Sequence, residues 1–353
     1  MNIKTVADQL CDSEAGVGSP SHPVHRLIEY GRLPEFVALT KPRVMMLAVF
    51  TALVGLINAP VRLEPFVAFM AVLAIAAGAG SAGVLNMWYD ADIDAVMKRT
   101  AMRPIPRGKV SRSEALVFGL VLAVAAAAGL ALATNITAAA LLAGAILFYV
   151  VVYTAWLKRS TCQNIVIGGA AGALPPVIGW AAATGDIGLQ PLVLFLIIFL
   201  WTPPHFWALA LNRCDEYARA GVPMLPVVAG RAATTRQILV YSALLAIASV
   251  LPWALGFAGP IYGAIAAICG ALFLGLAFQL NRSGVADRRA AHRLFVFSIA
   301  YLFVLFAAVS IDRSANSSPS SRSPHGARID VGSRSSVAMQ ITGSSTNVRA
   351  CEV

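Results

Sequence analysis

Residues 65–94 read PFVAFMAVLAIAAGAGSAGVLNMWYDADID. From 65 to 88 there is no charged side chain, a run long enough to cross roughly 30 Å of hydrocarbon as a helix. At its end come Asn86, Asp90 and Asp94, spaced i, i+4 and i+8. On a helix that spacing puts one amide and two carboxylates on a single face. Carboxylates at the bilayer midplane are costly, and those beside a span usually mark a site. Six basic residues follow at Lys98, Arg99, Arg103, Arg107, Lys109 and Arg112. Acids that can hold Mg²⁺, followed by arginines that can hold phosphate oxygens, suit a diphosphate. The plainer alternative is a solvated loop that caps the span. A calcium loop fits less well, because its glycine and distal glutamate are missing.

The rest of the chain extends this reading. Of its 353 residues, 58% are hydrophobic and 12% charged. Mean hydropathy is +0.73. Nine apolar runs are long enough to span, at 42–59, 65–88, 114–134, 136–157, 164–184, 190–211, 236–257, 259–280 and 293–311. Most lack the polar face that a soluble helix would show. The expected fold is an all-α, polytopic membrane protein. Only Thr134-Asn135 separates the third and fourth runs, which predicts a tight turn. The five cysteines share no metal-ligand spacing and read as small fillers.

The net charge of +10 invites a nucleic-acid reading, but its distribution argues against one. The loops after the second, fourth, sixth and eighth runs hold sixteen Lys or Arg; the intervening loops hold Arg62 alone. The positive-inside rule then puts the basic loops and the N-terminus in the cytoplasm. Residues 1–35 contain no apolar h-region and read as a disordered arm. Residues 314–353, rich in Ser, Gly and Arg, read as a disordered tail. The domain between them is 36–313. No Walker loop, dinucleotide fingerprint, Ser/His/Asp arrangement or nucleic-acid module is present.

Three further groups carry chemistry. Asp215, Glu216 and Tyr217 follow the sixth run, ahead of Pro223 and Pro226. Adjacent acids point about 100° apart on a helix, so both reach one metal only if the helix has ended there. Lying on the same membrane face as Asp90 and Asp94, they can share Mg²⁺ across one diphosphate. Lys158 and Arg159 end the fourth run. They read as membrane anchors or as partners of a leaving diphosphate. Within the sixth run, Trp201-Thr-Pro203-Pro204-His205-Phe-Trp207 places a proline pair that should kink the span and one histidine. His205 reads as a packing residue or as an imidazole ligand for haem iron.

These blocks resemble the UbiA-type membrane prenyltransferases and, among them, the haem O synthases. The likeness runs from about Leu39 to Arg313. It rests on Leu39-Thr-Lys41-Pro42-Arg43, the 86–106 block, Trp156 to Arg159, Gln163-Asn164-Ile-Val-Ile-Gly168-Gly169, the 201–211 block, and Asp215 to Pro226. The resemblance implies a nine-helix bundle in a bacterial inner membrane. It also implies transfer of a farnesyl group from farnesyl diphosphate to a vinyl group of haem B. It favours haem binding for His205. Asn86, Asp90, Asp94, Asp215 and Glu216 would be the catalytic set, with Mg²⁺ on the four acids. Arg103, Arg107, Lys158, Arg159 and Tyr217 would contact substrate. A haem A synthase or terminal-oxidase assembly factors would be downstream partners. Asp215-Glu216 departs from the D-x-x-x-D form of the superfamily's second acidic motif. Other acceptors, such as a quinone precursor or a chlorophyll-type ring, remain open, as does a haem carrier or transporter.

Overall fold

The computed structural model describes residues 32–284 and 287–316. Their regular structure is entirely helical: α1 Leu33–Leu39, α2 Pro42–Ile57, α3 Pro65–Tyr89, α4 Ala91–Val96, α5 Arg112–Ala133, α6 Ile136–Ser160, α7 Asn164–Thr184, α8 Leu189–Leu211, α9 Cys214–Arg219, α10 Leu225–Val228, α11 Gly230–Ala254, α12 Pro260–Arg282 and α13 Arg288–Asn316. Among these residues eight helices are long and apolar enough to span. The bent pair α1–α2 makes nine if it counts as one span. Helix therefore begins at Leu33, inside the stretch expected to be a disordered arm, with Pro34 in its first turn, where a missing N–H costs nothing. It also runs to Asn316, past the expected end of the domain at 313. The remainder of both expected tails, with Cys11 and Cys351, lies outside the described residues.

Local sequence explains the starts and the breaks. Glu64 accepts from the Val67 N–H and opens α3. Ser111 and Glu114 form a reciprocal capping box at α5. Asn135 accepts from the Ala138 N–H, so α6 begins at once after α5, as the tight turn requires. Between α1 and α2 the chain bends by 55°. Lys41 takes φ +54 there, the only positive φ outside glycine among the described residues. The following Pro42 disfavours right-handed helix at Lys41, so the bend falls on that residue. α8 remains helical through Pro203 and Pro204, the pair expected to kink it.

The spans pack as a bundle rather than around a soluble core. α2 and α7 meet backbone to backbone. A Cβ at Gly55 would lie 2.0 Å from the Pro176 carbonyl oxygen, and one at Gly179 equally close to that of Ala52. Small residues at such contacts are how spanning helices approach each other. Leu132, Ile136 and Ile311 are largely exposed, with many other large apolar side chains. Patches of this extent are unfavourable in water and natural against lipid.

Candidate active site

Asn86 lies in the last turn of α3, and Asp90 is the single residue joining α3 to α4. The backbone ladder continues through this joint: Asp90 N–H donates to Asn86 O and Asp94 N–H to Asp90 O. The face predicted from the spacing therefore survives the end of the span. All three side chains are buried, Asp90 completely and Asp94 to within 2%.

A cation lies against each of them. Lys158 pairs with Asp90. Arg103 donates to Asp94 at 2.6 Å. Lys41 donates to the Asn86 oxygen at 2.7 Å. Arg159 makes a two-pronged contact with the exposed Asp92, both bonds 2.8 Å, and lies over the Tyr89 ring. Its guanidinium holds the Asp92 carboxyl down to about 2. Of the predicted basic set, Arg103, Lys158 and Arg159 thus join the acids, whereas Arg107 is exposed and stands apart.

What turns Lys158 toward Asp90 is an irregularity in α6. Residues Phe148–Leu157 form a π-helix, a wider turn that occurs often at functional sites. The Thr154 hydroxyl donates to Tyr149 O, five residues back, and accepts from the Asn86 amide.

The second acidic loop is built differently. α9 is helical through Asp215 and Glu216, so the helix has not ended there and the two carboxylates diverge. Asp215 is exposed; Glu216 is half-buried and accepts from Arg213 at 2.8 Å. Tyr217 is buried, which raises its hydroxyl pKa, and the charge of Arg99 from the first loop acts on it in the opposite sense. Ile93 and Met97 share a core cluster with Tyr217, Val222 and Met224. The nearness of Arg99 to Tyr217 puts the two acidic loops at the same end of the bundle.

Among the described residues no three Asp, Glu, His or Cys side chains converge as a ready metal site. The donor set nevertheless suits a hard cation. Asp90 Oδ1 and Glu216 Oε2 are buried carboxylate oxygens without a hydrogen-bond donor, and oxygen ligands of this kind suit Mg²⁺.

Beneath Lys41 is an apolar cavity of about 180 Å³. α2, α3, α6 and α7 wall it, with Met45, Gly78, Ala82, Leu142, Tyr149 and Ile178 among its lining residues. His205 contacts none of this. Its ring stacks on Trp201 and Phe295, at centroid distances of 4.2 and 4.7 Å. Its Nδ1 lies 2.6 Å from the Ser298 hydroxyl, which itself donates to Phe295 O. The Ser298 proton is thereby committed, so Nδ1 carries the N–H and Nε2 keeps its lone pair.

Sequence reasoning did not assign Lys41, Thr154 or Ser298. A cation directly before the proline that opens a span was the one available signal for Lys41. A lone Thr or Ser within a span gives none.

Residues 48–302 match the UbiA prenyltransferase family. The chain is 58% identical to a protoheme IX farnesyltransferase of Afipia carboxidovorans, over 82% of its own length and 93% of the relative's. It is 57% identical to one from Methylobacterium radiotolerans, over 80% and 90%. In fold it is similar to a digeranylgeranylglyceryl phosphate synthase, with a TM-score of 0.67 at 20% identity, covering 80% of this chain and 98% of that one. It is also similar to a UbiA homologue of Archaeoglobus fulgidus bound to DMAPP and Mg²⁺, with a TM-score of 0.60 at 17% identity, covering 77% and 99%.

Proposed function

This chain belongs to the UbiA prenyltransferase family, and we propose that it is a protoheme IX farnesyltransferase, forming haem O from haem B and farnesyl diphosphate. One observation carries the reading. Two buried acids and an amide, Asp90, Asp94 and Asn86, each lie against a cation, Lys158, Arg103 and Lys41, and Lys41 also lines the apolar cavity. That pairing of polar head and greasy chamber matches a prenyl diphosphate. The names of the relatives supply the acceptor.

The residues divide the work as follows. Asp90, Asp94 and Glu216, with Asp215 at the rim and the Asn86 oxygen, are the groups that hold Mg²⁺. The metal, when bound, neutralises diphosphate oxygens and so improves the leaving group. Lys41, Lys158, Arg103 and Arg159 take up remaining diphosphate charge as the allylic C–O bond breaks. Tyr217 borders this end, and the exposed Arg107 lies outside it. The isoprenoid chain lies in the cavity, whose apolar lining keeps water from the allyl cation. The haem vinyl carbon attacks the farnesyl C1. Water adds to the cation left beside the porphyrin, and a proton leaves. His205, with Nε2 open, binds the haem iron. The active end faces the cytoplasm of a bacterial inner membrane, a reading supported by the basic loops.

Mass spectrometry of haems from cells with and without the protein tests the activity. A hydroxyethylfarnesyl adduct is expected, and unchanged haem B would point to a carrier or to another acceptor. For His205→Ala we expect haem binding to weaken about tenfold, some 1.4 kcal/mol, with pyrophosphate binding intact. Unchanged haem affinity would return His205 to packing.

A further inference from the structure

The wide turn of α6 has a second effect besides aiming Lys158. Thr154 is completely buried at the level of Asn86. Its hydroxyl proton goes to Tyr149 O at 2.8 Å, so its oxygen can only accept from a third group. That group is the Asn86 amide nitrogen, 3.1 Å away. The same nitrogen donates to Asp90 Oδ2 at 2.7 Å. A carboxylate and a committed hydroxyl both demand N–H. On the other side of the amide, Lys41 Nζ at 2.7 Å demands oxygen. Three partners thus agree on one orientation of a group whose two ends differ little in shape.

We propose that Thr154 is a positioning residue: through the π-turn of α6 it holds the Asn86 carboxamide with its oxygen toward Lys41 and the head of the cavity. Reversed, the amide would present two N–H donors to a cation and repel it. The proposal rests on the reading of Asn86 as a metal-side ligand and deepens it. A threonine is suited to the task because one short side chain closes the i−5 carbonyl of a π-turn and still offers an acceptor. Valine fills the same volume with neither function.

The test is Mn²⁺ binding to the full chain in nanodiscs with inorganic pyrophosphate present, read from the loss of the free Mn²⁺ EPR signal. Thr154→Val is expected to weaken Mn²⁺ binding about tenfold, the scale on which the partners of metal ligands act. Thr154→Ser, which keeps the hydroxyl, should stay within about twofold of the parent, as a retained bond predicts. Haem affinity should not change in either. Asn86→Ala is the control, and adding Thr154→Val to it should cost nothing further. If Asn86→Ala weakens Mn²⁺ binding and Thr154→Val does not, the positioning role is overturned and the proposed function stands. If Asn86→Ala itself has no effect, Asn86 is not a ligand and both readings lose it. Thr154→Ala replaces the valine variant if that one does not fold. If neither folds while the serine variant does, Thr154 holds the helix rather than the amide, and the proposal falls.

Discussion

The two acidic loops lie at one end of the bundle but are made by opposite means. The first extends a spanning helix: every carboxylate of the face is buried, and its partners come from its own loop and from elsewhere, Arg103 on Asp94, Lys158 of α6 on Asp90, and Lys41 of the bend before α2 on Asn86. The second is a short separate helix whose one half-buried acid, Glu216, pairs with Arg213 three residues away. The first loop draws the counter-ion of Asp90 from a distant helix, whereas the half-buried acid of the second is paired within its own loop. Burial without a partner is expensive, so the first loop should tolerate change least.

That difference can be broken or sharpened by substitution. Asp90→Ala or Asp94→Ala should lower haem O formation about a thousandfold, the scale of losing a principal electrostatic group. Turnover near that of the parent would remove the first loop from the chemistry. Glu216→Gln should cost about a hundredfold in turnover and raise the Mg²⁺ requirement, since it neutralises a buried ligand oxygen that has no hydrogen-bond donor. An effect as large as that of Asp90→Ala would make the loops equal. Arg159→Lys keeps the charge but loses the two-pronged grip on Asp92. We expect a loss of about tenfold or less, measured as KM for farnesyl diphosphate. Asp215→Asn should have the smallest effect, within about threefold in turnover, because an exposed charge is screened. A hundredfold loss there would show that α9 unwinds when substrate binds.

The first loop was legible because helical period survives translation into space: residues four apart share a face whether or not the span has ended at Tyr89. The spans were legible for the same kind of reason, since hydropathy over some twenty residues is a local quantity. The second loop was only half legible. Its prolines come seven and ten residues after Glu216, too late to end the helix at the acids. Lys41 depends on a left-handed bend, and Thr154 on five-residue spacing that no hydropathy period reveals. Ser298 is set by contacts with α8, more than ninety residues away in sequence.

The π-segment Phe148–Leu157 also makes the chain sensitive to length in a way that apolar content conceals. Each residue advances a helix by about 100°. Deleting one aliphatic residue, such as Val151, would leave a perfectly good span and let the segment relax to ordinary helix. It would also shift everything downstream along and around the axis, changing the reach of Lys158 to Asp90. Evolution can therefore exchange the lipid-facing side chains along this stretch more easily than it can alter its count, while Thr154 is held by its two hydrogen bonds.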